Sequence, residues 1–259
     1  MPSCSLSSRR SSGRVSRKGG TTAIILQARL DSSRLPHKAL LPLGGAPLLL
    51  RVMEALSLVP AEFRVLASPE DSESAFAPLA EAASFSLFTG SKNNVLDRYC
   101  QAIRHYSLDE DPSCRIIRAT GDNPFVFPDA ADAINDEAAM LGADYAAYAG
   151  LPYGAGVESV SARALLQAGS LAETPFQREH VCPCLYENPA AFALHRPLAP
   201  PKWKAPYVRL TVDTAADYEK AKLLYAELAR SVLPEERGRG EAIISVYRRV
   251  FEATGTARL

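Results

Sequence analysis

The chain is short of cysteine, of net charge and of long apolar runs, and each shortage excludes something. Cys4, Cys100, Cys114, Cys182 and Cys184 are the only cysteines among 259 residues. An odd, scattered set builds no disulfide framework and points to a reducing compartment, so a cytoplasmic protein is expected. Cys182-Pro183-Cys184 lies near His180. Structural zinc usually needs two spaced ligand pairs, and no second pair exists, so two small apolar residues on a helix are expected there. No apolar run approaches the roughly 18 residues that cross a bilayer, so no membrane partner is expected. Lys and Arg together number 29, as do Asp and Glu, giving a formal net charge of zero. That balance hides an asymmetry. Residues 1–20 carry Arg9, Arg10, Arg14, Arg17 and Lys18 and no acid, leaving 24 basic against 29 acidic residues in the body. Such a body does not coat nucleic acid, and any anion site must be local. Residues 1–20, rich in Ser, Arg and Gly, lack the apolar core of a secretory signal and read as a disordered basic tail.

Two nucleotide motifs are also missing. There is no Gly-x-x-x-x-Gly-Lys-Ser/Thr, and Gly154-Ala155-Gly156 has no third glycine to complete a dinucleotide fingerprint. No internal repeat appears.

What is present is an alternation of short apolar runs and helix-like runs. Ala23–Ala28, Phe63–Ala67, Ser84–Phe88, Arg115–Ala119 and Asp144–Tyr148 read as strands. Pro47–Leu58, Ser72–Ala83, Asn93–Tyr106 and Pro128–Leu141 read as helices between them. This is the pattern of an α/β fold whose mostly parallel sheet is covered by helices. Past Gly150 the rhythm changes. Ser161–Gly169 and Arg178–Tyr186 read as helices, Phe192–Arg196 as extended, and 197–206 as a Pro-rich excursion. Tyr207–Val212 (strand), Ala215–Leu233 (helix) and Val246–Thr254 (helix) restore it. One domain over 21–254 is expected, with 145–206 as an insertion on the acceptor side or at a subunit interface.

Three stretches carry chemistry. Residues 21–47, TTAIILQARLDSSRLPHKALLPLGGAP, end an apolar strand in a loop holding Arg29, Arg34 and Lys38. Guanidinium forks and an ammonium at the carboxyl end of a strand suit a polyphosphate, with Ser32, Ser33 and backbone amides as further donors. A solvated basic loop is the plainer reading. Thr120-Gly121-Asp122-Asn123-Pro124 ends a second strand in a carboxylate placed to hold Mg²⁺ beside phosphates, or to cap a turn. Arg209-Leu210-Thr211-Val212-Asp213-Thr214 ends a third, where Asp213 or Thr214 can also cap the following helix. Mg²⁺ takes one or two carboxylates plus phosphates and water, so Asp122 and Asp213 gain meaning together, opposite the cationic loop.

In this order the motifs resemble those of bacterial sugar-acid cytidylyltransferases, which make CMP-activated acidic sugars, most of all their spore-coat polysaccharide branch. QARLDSSRLPHKALLPLGGAPLL carries the resemblance first, followed by NNVLDRY, RATGDNP, GVESVS, REHVCPCLYENP and RLTVDTAADY, over about residues 22–220. The resemblance implies a three-layer αβα Rossmann-like nucleotidyltransferase, a homodimer, taking CTP and a sugar or sugar-acid acceptor, with Mg²⁺ as cofactor. It implies catalytic roles for Arg29, Lys38, Asp122 and Asp213, the last two as metal ligands. Nucleotide contacts fall on Gln27, Ala28, Arg29, Ser33, Arg34, Lys38, Thr120 and Gly121. Acceptor contacts fall on Glu158, Arg178 and His180, although Arg178, Glu179 and His180 can equally serve a helix end. Asn94, Asp97 and Arg98 form a signature helix start without a derived role. Two departures leave base and acceptor choice open: Gln27 where the acidic-sugar synthetases commonly have Pro, and Asn123 where some relatives have an acid or Cys.

The rival enzyme is a nucleotide-sugar-dependent glycosyltransferase, which generally holds its metal with Asp-x-Asp; Asp109-Glu110-Asp111 is the only such run and reads as a solvated loop. The same residues also suit a nucleotidyltransferase acting on a phosphate or phosphonate, or a non-catalytic nucleotide-binding protein.

Overall fold

The computed structural model describes residues 20–252. The expected disordered tail, Gly20 apart, and the last two residues of the helix expected over Val246–Thr254 lie outside the described residues. In chain order the strands are β1 (Thr22–Gln27), β2 (Pro42–Leu43), β3 (Ala46–Pro47), β4 (Phe63–Pro69), β5 (Ser86–Gly90), β6 (Arg115–Thr120), β7 (Tyr145–Ala146), β8 (Glu158–Ser161) and β9 (Leu194–His195). The α-helices are α1 (Leu48–Ser57), α2 (Glu73–Ala82), α3 (Val95–His105), α4 (Pro128–Leu141), α5 (Ala162–Leu171), α6 (Pro175–His180), α7 (Pro183–Tyr186), α8 (Ala215–Ser231) and α9 (Gly240–Tyr247).

The central strands are apolar on both sides because both sides are covered. Along β1, Ile24 and Leu26 face a core shared with Leu49, Val52, Ile134, Leu224 and Ile243 of α1, α4, α8 and α9. Ala23 and Ile25 face the other, with Tyr99 and Ile103 of α3 and Leu165 of α5. Period-two alternation thus sorts one strand's side chains into two cores and makes three αβα layers.

The main sheet runs β5-β4-β1-β6-β8-β7-β9. β5, β4, β1 and β6 are parallel; β8 is antiparallel to β6 and β7, and β9 is parallel to β7. The chain steps outward from β1 to β4 and β5, then returns to lay β6 on the opposite side of β1. That reversal leaves a crevice beyond the carboxyl ends of β1 and β6, the place where open α/β sheets bind ligands. Residues 145–206 are not set apart from this sheet, since they supply β7, β8 and β9.

Local signals explain most helix ends. Asn94 accepts a bond from the Asp97 amide at 3.0 Å and caps α3, which gives that signature start a structural role. Thr214 and Asp217 form a capping box on α8. Pro128 opens α4 and Gly142, at φ +61°, closes it.

Some expectations are corrected. The helix expected over Arg178–Tyr186 is two short helices, α6 and α7. Val181 breaks it at φ +73°, and Pro183 offers no N–H and would crowd the carbonyl four residues back. Tyr207–Val212 is extended but joins no sheet. It lies against loop backbone instead, bridging at Tyr153↔Arg209 and donating from the Val212 amide to the Asp122 carbonyl at 2.8 Å. The strand expected over Asp144–Tyr148 shrinks to β7, and that over Ser84–Phe88 moves to β5. Of the two cysteines expected on a helix, Cys184 lies on α7 and Cys182 is its N-cap; both are buried, and Cys100, Cys114, Cys182 and Cys184 are all free.

Asp109-Glu110-Asp111 lies at the amino ends of the strands. Asp111 accepts from the Thr21 amide at 2.7 Å, just before β1, and from Ser113. These bonds, the Thr21 one foremost, hold its carboxyl well below the usual range near 3.8. A depressed folded value contributes stability above the unfolded one and loses it as pH falls. Asp111→Asn should therefore lose less melting temperature than wild type between about pH 5 and pH 2, measured by thermal scans.

Candidate active site

A cleft of about 870 Å³ opens over the carboxyl ends of β1 and β6. Its near wall is the 29–38 loop. Its floor is Gln27, Arg118 and Glu158. Its far wall includes Tyr148, Tyr153, Glu179 and His180.

Two carboxylates converge at one end. Asp122 sits on the turn after β6, and that turn lies flush on β1. The Gly121 amide bonds the Gln27 carbonyl at 2.8 Å, and a Cβ at Gly121 would stand only 2.8 Å from the Ala28 Cβ. Asn123, which bonds Thr120 Oγ1 at 2.7 Å, fastens the turn. Asp213 arrives from the other direction, at the end of the extended 207–212 segment. Because Thr214 takes the N-cap of α8, the Asp213 carboxylate is left free of that duty.

Lys38 Nζ lies between them, 3.1 Å from Asp122 Oδ2, 3.0 Å from Asp213 Oδ1 and 3.0 Å from the Val212 carbonyl. Arg34 approaches Asp213 Oδ1 at 3.2 Å and Arg209 bonds Asp213 Oδ2 at 2.8 Å. Burial alone would raise the Asp213 carboxyl; the Lys38 bond and charge, with Arg34 and Arg209, carry it below its ordinary value. Both carboxylates thus address a single cation. Among the described residues no three His, Cys, Asp or Glu side chains gather as a metal cluster. Two carboxylates at the edge of a cleft that can admit phosphates fit Mg²⁺, which needs no all-protein cage. They do not fit structural zinc.

Arg29 is the loop cation left largely uncommitted, while Arg34 bridges Asp213 with most of its side chain in solvent. Arg29 is no nearer than 3.9 Å to Asp31 and 4.0 Å to Glu179, and both guanidiniums are mostly exposed. Ser33, Ala28 and Thr120 line the same wall.

The floor is a closed network. Arg118 and Glu158 are cross-strand partners on β6 and β8. Arg118 Nη1 donates to Glu158 Oε2 at 2.7 Å, and its Nη2 donates to Gln27 Oε1 at 2.9 Å. Tyr145 donates to Glu158 Oε1 at 2.8 Å. Burial opposes the Arg118 charge, but Glu158 outweighs it and raises the guanidinium's value. Burial, and then the Glu158 charge, push the Cys182 thiol well up, so it is no nucleophile. Gln27 and Glu158 are therefore spent on holding β1, β6, β8 and β7 in register at the cleft floor.

His180 reaches the cleft and Arg178 does not; the latter donates to the Ala172 carbonyl at 3.4 Å. Three lining residues had no site role in the motifs. Lys92 is tied to Asp31 at 3.0 Å and Asp71 at 2.7 Å. Arg98 is buried with its Nε unpartnered, and burial lowers its value. Tyr153 is 61% exposed, under the Arg209 guanidinium at 4.9 Å. An exposed aromatic in a Gly-rich loop was the one available signal for it.

Comparison with known proteins shows the family and the fold. A family model described as cytidylyltransferase matches residues 23–238. The spore coat polysaccharide biosynthesis protein SpsF of Bacillus subtilis (strain 168) is 35% identical over 210 residues, spanning 78% of this chain and 85% of that protein. A cytidylyltransferase structure from Leptospira borgpetersenii serovar Hardjo-bovis superposes with a TM-score of 0.77 at 24% identity, covering 92% of this chain and 96% of that one. The CMP:2-keto-3-deoxy-manno-octonic acid synthetase complexed with CTP shares the fold at a TM-score of 0.59 and 19% identity, covering 80% and 98%.

Removing one partner from a buried ion pair costs on the order of 3 kcal/mol, because the other charge stays behind. Arg118→Met should lose about that much stability in urea unfolding, and adding Glu158→Gln should restore part of it.

Proposed function

The chain belongs to the cytidylyltransferase family and is a nucleotidyltransferase enzyme, and we propose that it transfers CMP from CTP to a sugar or sugar-acid acceptor with release of pyrophosphate. The observation that carries this reading is the pairing of Asp122 and Asp213 around one cationic position, beside the mostly exposed guanidiniums of Arg29 and Arg34. That is a half-site complementary to a metal–triphosphate.

In this reading an acceptor oxygen forms a bond to the α-phosphorus while the bond to the bridging oxygen breaks and pyrophosphate leaves. Arg29, Arg34 and Lys38 bind the leaving phosphates and take up their charge. Asp122 and Asp213 would hold Mg²⁺, which supplies charge neutralisation and alignment at the reacting phosphate. The floor network keeps Gln27 and Glu158 fixed, so that base and acceptor meet a rigid surface. Positioning and charge stabilisation, rather than a nucleophilic side chain, do the work. We infer that the acceptor meets His180 and the 145–157 wall, which line the cleft above a Glu158 held by Arg118 and Tyr145. Surface-polysaccharide synthesis is the setting we infer, from the relative in spore-coat biosynthesis. A cytoplasmic location is inferred from the free thiols; among the described residues no helix is long and apolar enough to cross a membrane. Dimerisation through 145–206 is inferred from exposed Phe176 and Leu198. Sedimentation velocity checks it, and a monomer at all concentrations would sink it.

The glycosyltransferase reading loses its support. The Asp109–Asp111 run stands at the amino ends of the strands, with Asp111 bonded to Thr21.

The test is a pyrophosphate-release screen of CTP, UTP, TTP and ATP against acidic and neutral sugars. CTP is expected to be preferred. Asp122→Ala and Asp213→Ala should each lower release by roughly a thousandfold or more, with the protein still folded by circular dichroism at the assay temperature. Full turnover in both variants overturns the mechanism.

A further inference from the structure

An ammonium has three N–H donors and no acceptor. In Lys38 all three are taken, by Asp122 Oδ2 at 3.1 Å, Asp213 Oδ1 at 3.0 Å and the Val212 carbonyl at 3.0 Å. No donor remains for a phosphate, although Lys38 stands in the loop that is to bind one. One oxygen of Asp122 and both oxygens of Asp213 are engaged as well. Their oxygens surround the nitrogen at ammonium distances, whereas Mg²⁺ takes oxygens at about 2.0–2.1 Å. The same two oxygens cannot serve both, and Lys38, with its side chain 16% exposed, fills the space between them.

The local charge reinforces the exclusion. Asp122 and Asp213 face Lys38, Arg34 at 3.2 Å and Arg209 at 2.8 Å, and Arg209 also pairs with Asp217 at 3.0 Å, so the cluster is already neutral. A divalent cation approaching this cluster gains little. A triphosphate reverses the balance and offers the ammonium new acceptors.

We propose that Lys38 is a placeholder: in the nucleotide-free protein it keeps the Asp122–Asp213 pair closed to divalent cations, and it opens the pair only when a triphosphate draws its ammonium away. The identity of that triphosphate rests on the cytidylyltransferase reading, but the exclusion does not. The consequence is coupled loading. The acidic pair stays neutralised while no nucleotide is bound, and Lys38 serves the carboxylates and the phosphates in succession. A purely structural Lys38 would clamp the 29–38 loop to Asp122 and Asp213 without governing what else those carboxylates bind.

Manganese is the probe, followed by electron paramagnetic resonance of free Mn²⁺ titrated with the full chain and no nucleotide. Wild type is expected to bind Mn²⁺ weakly. Lys38→Met should bind it at least tenfold more tightly. Lys38→Gln, which keeps hydrogen bonds to the carboxylates and guards against a folding defect, should do the same. Lys38→Arg, which keeps the charge, should stay as weak as wild type. Adding Asp122→Asn to Lys38→Gln should remove the gain. Wild type binding Mn²⁺ as tightly as Lys38→Gln, or a gain that survives Asp122→Asn, overturns the proposal. Because no nucleotide is present, the titration is decided separately from CTP binding. A protein that shows the tenfold gain yet binds no CTP in calorimetry would support the placeholder and overturn the CTP assignment.

Discussion

Two carboxylates cannot sit side by side in a half-buried position without a cation between them, and the functional end of this molecule is organised around that constraint. Lys38 meets it at 3.0 and 3.1 Å from Asp213 and Asp122. The three residues come from three separate parts of the chain: a loop after β1, a turn after β6, and an extended segment before α8. Their mutual attraction ties those parts together at one point. The backbone supports the same point, because the Val212 amide bonds the Asp122 carbonyl and the Gly121 amide bonds the Gln27 carbonyl.

The sheet explains why this point is also a cleft. β1 carries β4 on one edge and β6 on the other, so the loops leaving their carboxyl ends diverge and leave space between them. Polar residues at that edge do not need to be covered by helices. Farther back along β1, Ala23, Ile24, Ile25 and Leu26 are each enclosed in one of the two cores. Arg118 marks the boundary. It lies on the Ile25 and Ile116 face of the sheet, where an unpaired charge would be costly, and it is made tolerable by Glu158 across the ladder and Gln27 beside it.

The wall opposite the basic loop has a different character. Gly154, at φ +92°, has its Cβ position filled by the Thr211 backbone at 2.5 Å, so the 150–156 loop is locked against the segment that delivers Asp213. Tyr153 is thereby held rigid and exposed beside the carboxylate pair. A small helix, α6, brings Glu179 within 4.0 Å of Arg29 and closes the cleft from above. The 150–156 loop and the segment that delivers Asp213 are mechanically one piece.

Much of this was legible in the chain itself. Apolar runs of strand length, Asn94, Pro128 and Thr214 placed the central strands and most helix ends, because those signals act within a few residues. The cationic loop and the two acidic strand-end motifs located the residues that converge around Lys38. The resemblance of six ordered motifs pointed to the family. Tertiary packing decided the rest, since those effects depend on residues far apart in sequence. Nothing near Tyr207–Val212 says that its partner is loop backbone rather than a sheet strand. Nothing near Val181 announces a positive φ. That Gln27 and Glu158 are consumed by Arg118, while Arg178 turns away from the cleft, follows only from the register of β6 against β8 and from where α6 comes to rest. Local sequence determined which residues can carry charge at strand ends; the fold determined which charges meet, because Coulombic and hydrogen-bonding partners are chosen by distance in space and not by distance along the chain.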